Sequence, residues 1–276
     1  MEKQINMLRS KLKKTFKIGL ILLSCIIILY ILSQTIFFTW NPLRPGYTCF
    51  RFDNYDVYSR SDKIDTLFNN LNNIFHGIEN SHDLKFIRRI EIIICEQSDL
   101  KRYSPLDPHG PLGIWPKTVY LPNSTIEKYR NPALSVKHEL SHLLFLQNYG
   151  VFRGTEIWKK NEWLPEGFAM YVCNGFPYYM SKQEVLTGMN KYGIDYKVNS
   201  ENIWSRKKIK EIPISARYSV YYHFICYLIE KYGEINFDSF MHGSFKEPDK
   251  IMDIFNEHFH ISFNQSLFEF GNYLVK

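Results

Sequence analysis

Apolar and polar residues follow two different periods in the first half of the chain. Aromatic and polar residues alternate from Tyr47 to Tyr58, and isoleucines are concentrated from Phe86 to Cys95, as is typical of β-strands. Between these segments, the stretch from Ser61 to Ile78 places its apolar residues at helical spacing, which predicts an amphipathic helix. The apolar residues of this stretch are Ile64, Leu67, Phe68, Leu71, Ile74, Phe75 and Ile78.

The second half of the chain is predicted to be mainly helical. The stretch from Ser98 to Pro116 contains proline and glycine and is predicted to be a loop. Strands followed by helices indicate an α+β fold, and residues 45–276 are numerous enough for one domain with its own core. Later helices are predicted from Ser181 to Met189, Ala216 to Tyr232, Phe237 to His242, Pro248 to His258 and Phe263 to Val275.

The amino end has a different pattern, because no charged residue occurs from Ile18 to Leu43. Residues 18–40 are apolar over a length that suits one transmembrane helix, and no small-residue cleavage site follows them. An uncleaved signal anchor is therefore predicted. Residues 1–17 form a basic tail, and positive residues stay on the cytoplasmic side of a membrane. The prediction is a single-pass protein of the cell membrane with a cytoplasmic amino end and an extracytoplasmic domain at residues 45–276.

This topology explains most of the net charge. The chain has 34 basic and 28 acidic residues, or +6, and the tail contributes six basic residues and one acidic residue, or +5. The remaining 28 basic and 27 acidic residues give +1. No basic stripe indicates nucleic acid as a partner.

Four of the five cysteines follow the predicted span, on the side where disulfides can form: Cys49, Cys95, Cys173 and Cys226. Four cysteines allow three pairings, and the sequence does not choose among them. Buried free thiols are the alternative. No C-x-x-C spacing occurs, so a thiolate zinc site is not expected.

The run His138-Glu139-Leu140-Ser141-His142 carries the candidate chemistry. Residues four apart lie on one face of a helix, so both imidazoles can reach one metal ion. Glu139 lies beside that face, where a base can take a proton from water at the metal. Asn131-Pro132 is a helix start signal and Gly150 a stop signal, which places the run within a helix.

Three fixed positions can also match by chance, so a second signal is needed. A catalytic zinc site takes three protein ligands, and Glu166 on a following helix is the candidate for the third. Pro165 suits the first turn of that helix and Gly175 its end. The extended motif HExxHxxGxxH is excluded because Phe145 and Asn148 occupy its Gly and His positions. Glu162 and Glu156 are fallback ligands.

The H-E-x-x-H run and the W-L-x-E-G-x-A-x-Y motif around Glu166 resemble those of the gluzincin metallopeptidases. This is the clan of thermolysin and the membrane alanyl aminopeptidases. The resemblance covers roughly Tyr120 to Lys276. It implies a zincin-like, thermolysin-type fold and one Zn²⁺ ion held by His138, His142 and Glu166. It also implies hydrolysis of peptide or protein substrates.

The resemblance extends to a helix from Ala216 to Tyr232, whose first tyrosine faces the metal in the resembled proteins. By position that residue is Tyr218, whose phenol would stabilise the oxyanion. Aromatic residues at helical spacing are more often core residues. His223 and Tyr222 are the rival candidates.

One feature of the aminopeptidases is missing. Their G-x-M-E-N edge strand carries a glutamate that binds the free amino end of the substrate. The corresponding segment, from Gly113 to Lys117 and into Thr118, has no acidic residue. An endopeptidase is therefore expected rather than an aminopeptidase, although the strand can still pair with an extended peptide.

These observations predict a membrane-anchored zinc peptidase with Glu139 as general base. The alternative is a catalytically inactive, membrane-tethered zinc- or protein-binding module with a peptidase fold. Because the predicted ligands and the base are all present, the enzyme is the preferred interpretation.

Overall fold

A computed structural model of the chain describes residues 2–32, 46–60, 71–81, 83–103, 112–114, 117–128, 132–191 and 212–276. The chain divides into two compact units. One comprises Met1–Tyr47 and Glu96–His109, and the other comprises Thr48–Cys95 and Gly110–Lys276. All the predicted site residues belong to the second unit.

The described strands form one five-stranded sheet in the order β1-β2-β3-β5-β4. The central pairs β2–β3 and β3–β5 are parallel, and the outer pairs β1–β2 and β4–β5 are antiparallel. In the parallel region Val57 pairs with Ile92, which pairs with Val119. The strands are β1 (Thr48–Arg51), β2 (Tyr55–Ser59), β3 (Ile90–Cys95), β4 (Leu112–Ile114) and β5 (Thr118–Pro122).

The helices follow mainly after the sheet, so the α+β prediction is confirmed. They are α1 (Glu2–Leu32), α2 (Leu71–Ser81), α3 (Gln97–Tyr103), α4 (Asn123–Lys128), α5 (Ala133–Tyr149), α6 (Val151–Asn161), α7 (Trp163–Val172), α8 (Lys182–Lys191), α9 (Ile214–Tyr232), α10 (Glu234–Lys246), α11 (Ile251–Phe259) and α12 (Phe263–Val275), with a 3₁₀ turn at Pro248–Lys250. The predicted helix from Ser61 is described only from Leu71 onward, since residues 61–70 lie outside the described residues.

Two local predictions were wrong. The single strand expected from Tyr47 to Tyr58 is a hairpin, because Asp53 and Asn54 are turn residues and Phe52 donates its amide to the Tyr55 carbonyl at 3.0 Å. The loop expected from Ser98 begins instead with α3, whose first turn carries Asp99. An acidic residue there interacts favourably with the positive end of the helix dipole.

Helix α1 includes the basic tail and the first part of the predicted anchor. No helix within the described part of the chain is both long enough and apolar enough to cross a membrane. Residues 33–40 of the predicted span lie outside the described residues. All five cysteines are free, so none of the possible pairings is formed.

Helix α5 is buried on two sides, which fixes the position of the motif. Leu140, Leu143 and Leu144 pack with the sheet and α2, while Phe145 belongs to the core formed by the later helices. The predicted stop is confirmed: Gly150 has a φ of 92° and donates its amide to the Leu146 carbonyl at 3.0 Å. At the other end, the predicted cap Asn131 lies outside the described residues.

Helix α7, which carries Glu166, lies very close to α9. A Cβ added at Gly167 would come within 2.9 Å of the Tyr221 carbonyl oxygen, which is backbone and cannot move aside easily. The contact explains why glycine follows Glu166, since any larger residue would push the Glu166 helix away from α9.

We therefore expect Gly167→Ala to destabilise the protein by about 1–3 kcal/mol, the usual cost of overpacking a core. Urea unfolding followed by circular dichroism measures this change. The matched control is Gly188→Ala, because a Cβ at Gly188 in α8 would meet nothing within 4 Å. Alanine is the better helix former, so the control should be neutral or slightly more stable. Equal stability changes in both variants would contradict the close-packing explanation.

Candidate metal centre

His138 and His142 lie on the same face of α5, as their four-residue spacing predicts. Their Nε2 atoms are 3.3 Å apart, and both side chains are buried, with residue exposures of 8% and 9%. The two rings are perpendicular, with centroids 4.9 Å apart. His138 Nδ1 is buried and has no hydrogen-bond partner among the described residues. The helix therefore presents two imidazole nitrogens to one small volume.

Glu166 comes to the same point from the first turn of α7, where Pro165 also lies. Its Oε2 atom is 3.4 Å from His138 Nε2 and 3.6 Å from His142 Nε2. Within the described ranges, these three buried residues form the one His, Cys, Asp or Glu cluster that could hold a metal ion.

The spacing of the donor atoms fits a tetrahedral ion. Zinc binds nitrogen at about 2.0–2.1 Å, so two ligand atoms of a tetrahedral site lie about 3.3–3.4 Å apart. The three separations between His138, His142 and Glu166 are 3.3, 3.4 and 3.6 Å. Two imidazoles and one carboxylate are also a donor set that zinc accepts in catalytic sites. The residues present thus fit zinc by chemistry and by distance.

The charge state of Glu166 also suits metal binding. Burial by itself would raise the pKa of this carboxyl group, but the interactions with His142 and His138 together outweigh burial. The net result is a pKa well below the usual value for glutamate. The side chain is therefore ionised at neutral pH, which is the form that binds a metal.

Trp158 on α6 belongs to the site and was missed from the sequence. Its indole N–H donates a 2.8 Å hydrogen bond to Glu166 Oε1. Its ring makes a T-shaped contact with the His142 ring, with the two ring centroids 4.8 Å apart. Helix α6 was not predicted, because Gly150 was interpreted as the end of a helix and not also as the start of the next one, which begins at Val151. Gly154 and Ile157, which are buried and at helical spacing, were the available signal.

Tyr218 on α9 lies close to Glu166. Burial is the main cause that raises the pKa of its phenol, and the charges of Glu166 and Glu162 raise it further. A direct interaction between the Tyr218 and Glu166 side chains makes the smallest contribution to this rise in pKa. The phenol therefore keeps its proton at neutral pH and can act as a donor.

The rival candidates have neighbours elsewhere. His223 Nε2 lies 2.8 Å from the Met180 carbonyl oxygen. Burial raises the pKa of Tyr222, with smaller contributions from Cys226 and Tyr179 rather than from Glu166. The structure thus brings Tyr218, and neither rival, to the carboxylate of the cluster.

The two alternative ligands, Glu162 and Glu156, interact with other residues. Glu162 pairs with Arg217, whose Nε is 3.4 Å from Glu162 Oε2, and both side chains are nearly buried. Glu156 is bonded to Lys160 at 2.8 Å on the surface. Neither glutamate belongs to the His138 cluster.

Glu139 follows His138 on α5 and is half-buried. It is not one of the three clustered donors, so its role as the base stays a prediction from its position next to His138 in the sequence.

The segment without acidic residues forms the edge of the described sheet. Strand β4 pairs only with β5, with Gly113 opposite Val119. Its described residues are Leu112, Gly113 and Ile114, none of which is acidic.

Comparisons with known proteins give little beyond this geometry. No protein-family model matches the chain, and no curated protein matches it. Among solved structures, the chain is similar to a crystal structure of a two-domain M1 zinc metallopeptidase, a variant bound to L-arginine. The sequence identity is 12%, and the TM-score is 0.49. The match covers 78% of this chain and 47% of the other, so the chain spans about half of that protein. A likeness this distant defines neither the class nor the activity of the chain.

Proposed function

We propose that the chain is a zinc-dependent peptidase with a zincin-like fold, in which His138, His142 and Glu166 hold one zinc ion. The observation that carries this proposal is the convergence of their donor atoms at 3.3–3.6 Å. These distances fit a tetrahedral zinc site, and the sequence between the two histidines supplies a base.

When bound, the ion supplies the Lewis acidity that activates water and polarises a peptide carbonyl. Glu139 takes the proton of the attacking water and later delivers it to the leaving amine. Tyr218 donates a hydrogen bond to the carbonyl oxygen as negative charge develops on it. Burial of the three ligands limits competition by bulk water for the charged groups.

The role of Tyr218 leads to a specific expectation for Tyr218→Phe. The substitution removes the donor hydroxyl but keeps the ring, so kcat should fall about 10²–10³-fold while KM changes little. Kinetics on a fluorogenic peptide measure both constants. Tyr222→Phe on the same helix is the control and should keep the wild-type kcat. Equal kcat values for Tyr218→Phe and the wild type would remove Tyr218 from the mechanism.

We also propose endopeptidase rather than aminopeptidase specificity. The edge strand β4 can pair with an extended peptide, and its described residues offer no carboxylate for a free amino end. Acetylated peptides test this proposal, because an endopeptidase cleaves them and an enzyme that requires a free amino end does not.

Membrane anchoring through residues 18–40, with the amino end in the cytoplasm, is a separate proposal. It is supported by the sequence and by α1, where every described side chain from residue 13 to residue 29 is exposed, including many leucines and isoleucines. Contiguous exposed apolar surface of this kind is rare on soluble proteins. Carbonate extraction of membranes from cells that express the full chain tests it, and full release into the soluble fraction would contradict it.

A further inference from the structure

The two oxygens of Glu166 have different partners. Oε2 faces the two histidines at 3.4 and 3.6 Å, while Oε1 accepts the 2.8 Å hydrogen bond from Trp158. A carboxylate that is held in this way presents one oxygen to the cluster and has the other engaged. The Trp158 bond therefore fixes the direction in which the carboxylate offers its other oxygen to a metal.

The position of Trp158 is set by close helix packing. A Cβ added at Gly154, one turn earlier on α6, would lie 2.2 Å from Leu146 Cδ2 and 3.5 Å from the Trp158 ring. The Leu146 side chain of α5 thus fills the space that a Cβ at position 154 would take. The indole contacts both Glu166 and the His142 ring. Trp158 consequently contacts two of the three clustered residues.

An indole suits this task. Its N–H is only a donor and carries no charge, so it orients the carboxylate without neutralising it as a lysine or arginine would. Groups that orient a metal ligand in this way typically contribute 10–100-fold to metal affinity.

We propose that Trp158 is a positioning residue that raises metal affinity by holding Glu166 with Oε2 towards His138 and His142. This inference rests on the proposed metal site. It adds a residue from α6 that neither the H-E-x-x-H run nor the Glu166 segment contains.

The test is the zinc affinity of the full chain, measured by competition with a chromophoric chelator. Trp158→Phe keeps a ring against His142 but removes the N–H, and it should weaken zinc binding 10–100-fold. The absorption spectrum of the cobalt-substituted variant should also change, because the carboxylate is no longer held. The matched control is Trp163→Phe: Trp163 is a buried tryptophan that packs against Phe224 and Phe263 in the helical core. Its zinc affinity should equal that of the wild type.

A double-mutant cycle separates positioning from general destabilisation. If Trp158 acts through Glu166, the Trp158→Phe change should cost nothing further in a Glu166→Ala background. The inference is overturned if Trp158→Phe binds zinc as tightly as the wild type, or if its loss is equally large without Glu166. If Trp158→Phe does not fold, benzothienylalanine at position 158 keeps the ring size and replaces only the N–H. If the folded wild type binds no zinc, the proposed function is contradicted, and this inference is contradicted with it.

Discussion

Replacing Glu139 with glutamine is expected to reduce peptide hydrolysis about 10²–10⁴-fold while zinc binding stays unchanged. Glutamine has nearly the same shape as glutamate, but its amide cannot take a proton from water. Glu139 lies outside the three clustered donors, so the substitution leaves the predicted ligands intact. Hydrolysis rates and zinc affinity should be measured on the same preparation, because the prediction is that the two separate.

The matched control is Glu156→Gln, which makes the same chemical change on α6. Glu156 is bonded to Lys160 at the surface and does not belong to the cluster. This variant should hydrolyse peptides at the wild-type rate. Full activity of Glu139→Gln would remove this residue from the mechanism, and loss of zinc from Glu139→Gln would reassign it as a ligand.

The second large effect is expected for His142→Ala, which removes one of three converging donors. Ligands that bind only the folded state stabilise it, by about 2.7 kcal/mol when their concentration is 100 times the Kd. Zinc at that concentration should stabilise the wild type by about this amount and the variant by little, and hydrolysis should be lost. Urea unfolding with and without zinc measures the difference.

His76→Ala is the control for that experiment, because the side chain of His76 on α2 is 61% exposed. It should keep the full stabilisation by zinc. An equal zinc-dependent gain in His142→Ala would show that zinc binds elsewhere, which would contradict the proposed centre.

The sequence predicted the part of the site that depends on local geometry. His138 and His142 converge because helical spacing is a short-range property, and α5 could be recognised from its ends and its apolar residues. Glu166 was predicted as a ligand from the sequence motif around it. In the structure it lies on α7, and its carboxylate approaches the two histidines of α5. Tyr218 came from the resemblance alone, and its approach to Glu166 depends on the contact between α7 and α9 at Gly167.

Trp158 could not be found in the same way. Its role depends on how closely α6 packs against α5, and the distance between two helices is not encoded in the period of either one. The order of the five strands was missed for a similar reason, since the pairs β2–β3 and β3–β5 join residues far apart in the chain. The hairpin is local, and it was missed because the turn at Asp53 interrupts a pattern that alternates continuously in the sequence.

The proposed peptidase activity is tested most directly by the cleavage of an amino-terminally acetylated peptide library by the purified full chain carrying one equivalent of zinc. Mass spectrometry of the products identifies every newly formed terminus. We expect new internal termini with the wild type and none with Glu139→Gln. A zinc-loaded, folded wild type that produces no new termini would contradict a peptidase and favour a binding module that keeps the metal site.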